Sequence, residues 1–147
     1  MFDLIDGKIK NHSHFYYLRI QYEDTDAGGI VYHANYLSFM ERARTGLMRL
    51  LNFSPEKFLL SGNSFVVAKA DIKWNLSLKL GNICCVKTHL LELRRASFIL
   101  EQVIYDKQLN KVFTIGKIYL CIIKNKKVIK LPLNLKQALL NWSNQLE

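Results

Sequence analysis

Three acidic residues and two glycines lie close together at Glu23, Asp24, Asp26, Gly28 and Gly29. Carboxylates can take up protons or attack an electrophile, and glycine adopts backbone conformations that other residues avoid. A segment with helical apolar periodicity starts shortly afterwards, at Tyr36. We therefore expect this loop to bring carboxylates and unpaired helix amides into one small volume.

The start of such a helix has its own chemistry. The first N–H groups of a helix have no partner within it, and they lie at the positive end of its dipole. Directed at a thioester carbonyl, they would stabilise the oxyanion that develops during acyl transfer. A nearby carboxylate could attack the carbonyl or deprotonate a water molecule. The residue types therefore favour acyl-transfer chemistry.

The spacing alone leaves other interpretations open. Acids and glycines are also the ordinary residues of solvated turns and helix caps. A calcium loop that begins at Asp24 would need a bidentate glutamate where Asn35 stands, so we reject it. A phosphatase-like Asp-x-Asp motif normally lies on a parallel α/β sheet, which requires helices between the strands.

Periodicity predicts the elements around the loop. Strands are expected over residues 15–22, 68–76, 83–93, 96–105 and 112–123. A short helical turn should follow Pro55, and a terminal helix should follow Pro132, with Asn134 as N-cap and Gln137 completing a capping box. The apolar face of the long helix comprises Tyr36, Phe39, Met40, Ala43, Leu47, Leu50 and Leu51. The apolar face of the terminal helix comprises Leu135, Ala138, Leu139, Trp142 and Leu146.

The strand over residues 68–76 has a strict alternation, with apolar residues at every second position, and this predicts a half-buried strand. Its apolar positions are Ala68, Ala70, Ile72, Trp74 and Leu76. Because the later strands follow one another without intervening helices, the sheet should be antiparallel and the class α+β. We expect one domain over residues 15–147, wrapped around the long helix, with an N-terminal extension over residues 1–14.

Composition narrows the function further. The net charge is +9, yet the lysines are scattered, with a locally dense stretch at residues 124–130. Nucleic-acid binding is not expected, because basic residues are not interleaved with aromatics on one strand. Cys84, Cys85 and Cys121 indicate buried thiols in a reducing cytoplasm. No secretory signal or apolar run long enough to span a membrane is present, so no stable membrane insertion is expected.

The residues from Tyr22 to Tyr36, Tyr-Glu-Asp-Thr-Asp-Ala-Gly-Gly-Ile-Val-Tyr-His-Ala-Asn-Tyr, closely resemble the signature of hot-dog acyl-CoA thioesterases. This is the 4-hydroxybenzoyl-CoA thioesterase-like family. Residues 41–45 and 65–67 resemble its bacterial branch associated with the Tol–Pal system. The likeness extends over approximately residues 15 to 130. It implies a hot-dog fold, in which an antiparallel sheet wraps a long central helix.

The resemblance also implies a site. Asp26 would be the catalytic carboxylate, acting as nucleophile or general base. A backbone N–H at or near His33 would polarise the carbonyl, and the imidazole itself is a second option. Tyr32 and Asn35 would position the loop and the helix start, Asn35 as a helix cap, beside the substrate-binding glycines Gly28 and Gly29.

Two further groups of residues are given structural roles. Glu41 is expected to pair with Arg42 or Arg44 rather than to act in catalysis. His12 and His14 are expected to be surface imidazoles, because no further ligand has metal-site spacing. No metal or organic cofactor is implied.

The implied function is hydrolysis of acyl thioesters to a carboxylic acid and free coenzyme A, within bacterial lipid metabolism. Acyl carrier protein is an alternative carrier of the acyl group. The family forms homodimers or homotetramers that bind acyl-CoA at the subunit interface. The competing hypothesis is a non-catalytic module that binds acyl-CoA or acyl carrier protein, or that serves in assembly.

Overall fold

The computed structural model describes residues 4–144. The strands are β1 (Lys8–Lys10), β2 (Ser13–Arg19), β3 (Asn63–Trp74), β4 (Ile83–Leu93), β5 (Ser97–Asp106), β6 (Val112–Lys124) and β7 (Lys127–Ile129). The helices are α1 (Asn35–Leu50), α2 (Pro55–Leu60) and α3 (Leu133–Ser143). A single turn of 3-10 helix, Tyr22–Asp24, lies between β2 and α1.

All the strands join one antiparallel sheet in the order β1-β2-β4-β5-β6-β3, and β7 pairs with the end of β6. The long helix α1 packs closely on this sheet. A Cβ added at Gly116 of β6 would lie 3.0 Å from Met40 Sδ on α1, so the absent side chain lets helix and strand approach. The predicted α+β hot-dog architecture is confirmed, including the C-terminal helix.

The core side of α1 follows the predicted stripe through its first three turns. Tyr36, Phe39, Met40, Ala43 and Leu47 are all buried. The last two positions differ, because Leu50, where α1 ends, is 38% exposed and Leu51, just beyond the helix, is half-buried against the core. The stripe therefore anchors the start and middle of the helix, where the site lies.

The cysteines lie in the core as predicted. Cys84, Cys85 and Cys121 are buried free thiols. Burial raises the pKa of the Cys84 thiol to about 12 and that of Cys85 to about 11. Both thiols therefore stay protonated near neutral pH and serve as small apolar side chains.

The predicted burial of the alternating strand is wrong for the single chain. Ala68, Ala70 and Trp74 are exposed, and Ile72 is half-buried. The physical reason is the position of β3 at the edge of the sheet, with an irregular register between Val67 and Lys69. Within residues 4–144, the strand therefore has one edge without a partner strand, and it presents an apolar face.

The chain termini also differ from the sequence pattern. Residues 8–10, predicted as part of an N-terminal extension, pair with β2 as strand β1. The N-cap prediction for Asn134 is wrong, because α3 starts at Leu133 after Pro132, and Asn134 Oδ1 accepts a bond from its neighbour Leu135. Residues 1–3 and Leu146 lie outside the described residues. No helix within residues 4–144 combines the length and apolar character of a membrane span.

Candidate active site

The loop between β2 and α1 is fastened by Asp24, a buried residue that makes polar contacts in two directions. Its carboxylate Oδ2 accepts a hydrogen bond from the Gln21 amide at 2.8 Å. Its carbonyl accepts bonds from the Tyr32 amide at 3.2 Å and from Asn35 Nδ2 at 2.7 Å. Asp24 therefore joins the two ends of the loop, which gives the first acid of Asp-x-Asp a structural role.

Asp26 occupies a tight turn inside this loop. Its Oδ1 accepts hydrogen bonds from the amides of Gly28 at 2.8 Å and Ile30 at 3.3 Å. Gly29 has φ +81°, a conformation that favours glycine. The Asp26 carboxylate is exposed, and its Oδ2 makes no hydrogen bond within residues 4–144. One oxygen thus fixes the side chain, and the other is available for chemistry.

The loop is supported from beneath by the segment between β3 and β4. The Val31 amide donates to the Leu78 carbonyl at 2.9 Å, and the Leu80 amide donates to the Gly29 carbonyl at 3.0 Å. The Leu78 amide in turn donates to the hydroxyl of Tyr36 at 2.9 Å. Burial raises the pKa of Tyr36, so this acceptor is a neutral phenol anchored in the core. The loop is therefore fastened by backbone hydrogen bonds to a segment that is itself anchored in the core.

The start of α1 presents unpaired amides. Its N-cap is Ala34, which has no capping side chain, and the amides of His33 and Ala34 donate no hydrogen bond within residues 4–144. The expected capping role of Asn35 is wrong. Asn35 is the first helical residue, and its side chain donates to the Asp24 carbonyl instead. The sequence therefore leaves open the amides that an anionic oxygen could use.

Trp74 is a site residue that the sequence reasoning missed. Its indole Nε1 donates to the His33 carbonyl at 3.0 Å, and its ring meets the imidazole edge-on at 5.7 Å. The Tyr32 ring centroid lies 4.5 Å from that of the imidazole. A signal was present, since the indole N–H of a tryptophan packed against other residues usually donates a hydrogen bond.

The predicted site residues lie on one short segment, from Asp26 to Asn35. No hydrogen bond or ion pair links Asp26 with His33 in the described part of the chain. Their side chains instead belong to two neighbouring units, the Asp26 turn and the aromatic cluster of Tyr32, His33 and Trp74. The His33 carbonyl accepts the bond from Trp74, its amide has no partner within residues 4–144, and its ring is exposed.

Glu41 does not pair with Arg42 or Arg44 as expected, since none of the ion pairs among residues 4–144 includes it. Arg44 Nη1 donates to Gln102 Oε1 at 2.8 Å instead. Burial lowers the pKa of Arg44 to about 10, and Glu41 opposes that shift electrostatically. The Arg44 guanidinium is therefore buried against Gln102 of the sheet rather than paired with Glu41, its neighbour on the helix.

The two N-terminal histidines have separate structural contacts. His12 Nδ1 lies 3.0 Å from the Trp142 carbonyl. The prediction that His14 is a surface imidazole is wrong, because this residue of β2 is fully buried between β1 and β4 and its Nε2 lies 2.7 Å from the Asp6 carbonyl. Within residues 4–144, no group of three or more potential ligands could hold a metal ion.

Several known proteins resemble this chain in sequence and in fold. The sequence pattern of the thioesterase superfamily matches residues 28–113. An acyl-CoA thioesterase, YbgC of Haemophilus influenzae, is 44% identical over 86 residues, which cover 58% of this chain and 63% of that protein. The alignment thus spans less than two thirds of that relative.

Two solved structures share the fold over most of the chain. A probable thioesterase from Bartonella henselae is 31% identical, with a TM-score of 0.76 over 82% of this chain and 99% of that one. A hypothetical protein from Aquifex aeolicus is 27% identical, with a TM-score of 0.80 over 85% of this chain and 98% of that one.

Proposed function

The chain belongs to the thioesterase superfamily, and from that premise we propose that it is an acyl-CoA thioesterase. It hydrolyses acyl thioesters to a carboxylic acid and free coenzyme A. The observation that carries this proposal is the pairing, on one loop, of a fixed Asp26 carboxylate with the unpaired amides of His33 and Ala34. The name of the Haemophilus relative supports the same substrate class.

Asp26 supplies the reactive carboxylate. The Gly28 and Ile30 amides hold Oδ1, so Oδ2 faces the substrate. It either attacks the thioester carbonyl, forming an anhydride and expelling the thiolate, or removes a proton from the water that attacks that carbon. In the first route water then cleaves the anhydride. Both routes end with a carboxylic acid and a thiol.

The amides at the helix start stabilise the charge that develops on the carbonyl oxygen. His33 and Ala34 precede α1, where the helix dipole adds to the two N–H groups. Trp74 holds the His33 carbonyl, and Asn35 ties the first helical turn to Asp24. These contacts limit the reorganisation that the amides need during the reaction. The His33 ring has a minor role beside its backbone.

The remaining residues of the loop contact the substrate. Gly28 has no side chain to crowd Oδ1, since a Cβ there would lie 3.3 Å from that oxygen. Gly29 gives the loop its left-handed turn, and the exposed Tyr32 ring offers an apolar surface beside the thioester. The hydrogen bond from the Asn35 side chain to the Asp24 carbonyl fixes the start of α1 beside this surface.

A second copy of the chain completes the proposed enzyme. The edge strand β3 exposes unpaired backbone groups together with Val67 and Trp74, at 43% and 45% exposure. Pairing two copies along β3 satisfies the strand edge and covers these side chains. The acyl-CoA then lies at the interface of a homodimer, which can pair again into a tetramer. Light scattering on the purified protein would reveal a monomer if this arrangement is wrong.

The cellular setting follows from the same features. Three buried thiols suit a reducing cytoplasm, and the relatives named above come from bacteria. We place the reaction in bacterial lipid metabolism, with acyl carrier protein as an alternative carrier of the acyl group. The excess of positive charge favours the phosphates of either carrier.

Thiol release from acyl-CoA tests the proposal. We expect purified protein to release free coenzyme A and carboxylic acid in equal amounts, at a rate proportional to enzyme concentration. Acyl carrier protein charged with the same acyl group serves as the second substrate. Tight binding of acyl-CoA without release of thiol would identify a non-catalytic binding module instead.

A further inference from the structure

A cavity of about 470 Å³ lies beside the second half of α1, away from the Asp26 turn. α1, α2 and the start of β3 form most of its walls, β5 and β6 add one residue each, and most of its lining is apolar. The principal apolar residues are Met48, Phe58, Leu59, Phe65, Phe98 and Leu120. We propose that this cavity holds the far end of a long, straight acyl chain, an inference that rests on the function proposed above.

One face of α1 connects the open amides with the cavity. Leu37, Glu41, Thr45 and Met48 are spaced by four, four and three residues, so they lie along one side of the helix. Leu37 is 40% exposed and stands just beyond Ala34, and the other three line the cavity. An acyl chain whose carbonyl is held at the helix start can therefore follow this face.

The length of this path sets the class of acyl group. α1 rises by about 1.5 Å per residue, so Thr45 lies about 16 Å along the axis from Ala34. A butanoyl or benzoyl group ends well before that point. A hexadecanoyl chain reaches the cavity, where each methylene removed from water favours binding about three- to fourfold.

Packed aromatic rings form much of the far end of the path. Phe58 and Phe65 stack at 4.5 Å, and Phe65 meets Phe98 edge-on at 6.4 Å. Arg44 also lines the cavity, but Gln102 holds its guanidinium at 2.8 Å. The cavity is therefore suited to alkyl carbons rather than to a flat ring that carries a polar substituent.

A matched pair of neighbouring residues allows a sharp test. Leu59 lines the cavity, and Leu60, the next residue of α2, is 88% exposed and does not line it. We would measure kcat/KM for butanoyl-, benzoyl- and hexadecanoyl-CoA in wild type, Leu59→Trp, Thr45→Phe and the control Leu60→Trp. Wild type should prefer hexadecanoyl-CoA. The hexadecanoyl-to-butanoyl ratio should fall at least about tenfold in both cavity variants, since two or more methylenes lose their site, and should stay unchanged in the control.

The outcomes separate the two proposals. If wild type releases no thiol from any acyl-CoA, the proposed function fails. If it hydrolyses acyl-CoA, but folded Leu59→Trp and Thr45→Phe proteins keep the wild-type ratio, the function stands and the cavity assignment is wrong. A wild-type preference for butanoyl- or benzoyl-CoA would also overturn the cavity assignment.

Discussion

Replacing Trp74 by phenylalanine tests whether the helix start must be held from outside. The substitution removes the hydrogen bond from Nε1 to the His33 carbonyl, 3.0 Å long, and keeps an aromatic ring against the imidazole. A neutral hydrogen bond contributes about 0.5–1.5 kcal/mol, and the 45% exposure of Trp74 favours the lower half of that range. If this energy positions the oxyanion amides, kcat/KM should fall about two- to fivefold.

A second tryptophan in the chain provides the control. Trp142 is buried in α3, and within residues 4–144 its Nε1 has no hydrogen-bond partner. Trp142→Phe loses no hydrogen bond but leaves a void, so it should lower the free energy of unfolding by about 1–3 kcal/mol and leave turnover intact. Trp74→Phe should do the reverse, with a small change in melting temperature and a clear loss of activity.

Both variants would be assayed by thiol release from acyl-CoA, by thermal unfolding and by light scattering, because Trp74 lies on the edge strand that is proposed to pair. A dimeric Trp74→Phe protein with wild-type kcat/KM would refute the reasoning. Equal losses of activity in the two variants would show a general effect of stability rather than control of the amides.

Two further predictions concern backbone strain and acid stability. Gly29 and Gly62 have φ +81° and +84°, and an added Cβ would meet nothing within 4 Å at either site. Gly29→Ala and Gly62→Ala should therefore each lower the free energy of unfolding, measured with urea, by about 1–2 kcal/mol. Only Gly29→Ala should also lower kcat/KM. Equal activity in the two proteins would contradict this prediction. Burial lowers the pKa of His14 below its usual 6.5, so the unfolded chain takes up this proton more readily. The contribution of neutral His14 to the free energy of unfolding is therefore fully present above pH 6.5, and it is lost as the pH falls through the lowered pKa. Between neutral pH and about pH 5 the free energy of unfolding should fall less in His14→Gln than in wild type; an unchanged fall would exclude His14 as the cause.

Much of the fold can be predicted from local sequence, because apolar periodicity and turn residues are properties of short segments. The boundaries of β4 were predicted at Ile83 and Leu93, directly after a turn, and the core face of α1 followed from its spacing from Tyr36 to Leu47. The burial of β3 could not be predicted in the same way. Alternation indicates that a strand has an apolar face, but it does not say what covers that face, and β3 is at the sheet edge.

The site shows the same division between local and distant contacts. Asp26, Gly28 and Gly29 form a turn within five residues, so this turn could be predicted from neighbouring residues alone. Trp74 approaches His33 from 41 positions away, and Gln102 approaches Arg44 from 58. Such contacts depend on how the sheet meets the helix. Local reasoning accordingly paired Arg44 with nearby Glu41, missing the partner on the sheet.

The identity of the reacting carboxylate is tested most directly by the turnover number of Asp26→Asn. Asp106→Asn is a matched control, because Asp106 Oδ1 also accepts two backbone amides, from Asn110 at 2.7 Å and Lys111 at 2.8 Å. Asparagine keeps an oxygen for either turn but cannot act as base or anionic nucleophile. We predict that Asp26→Asn unfolds at a temperature close to that of wild type and loses about 10²- to 10⁴-fold in kcat for thiol release, while Asp106→Asn keeps it. A folded Asp26→Asn protein that turns over acyl-CoA at the wild-type rate would contradict the account.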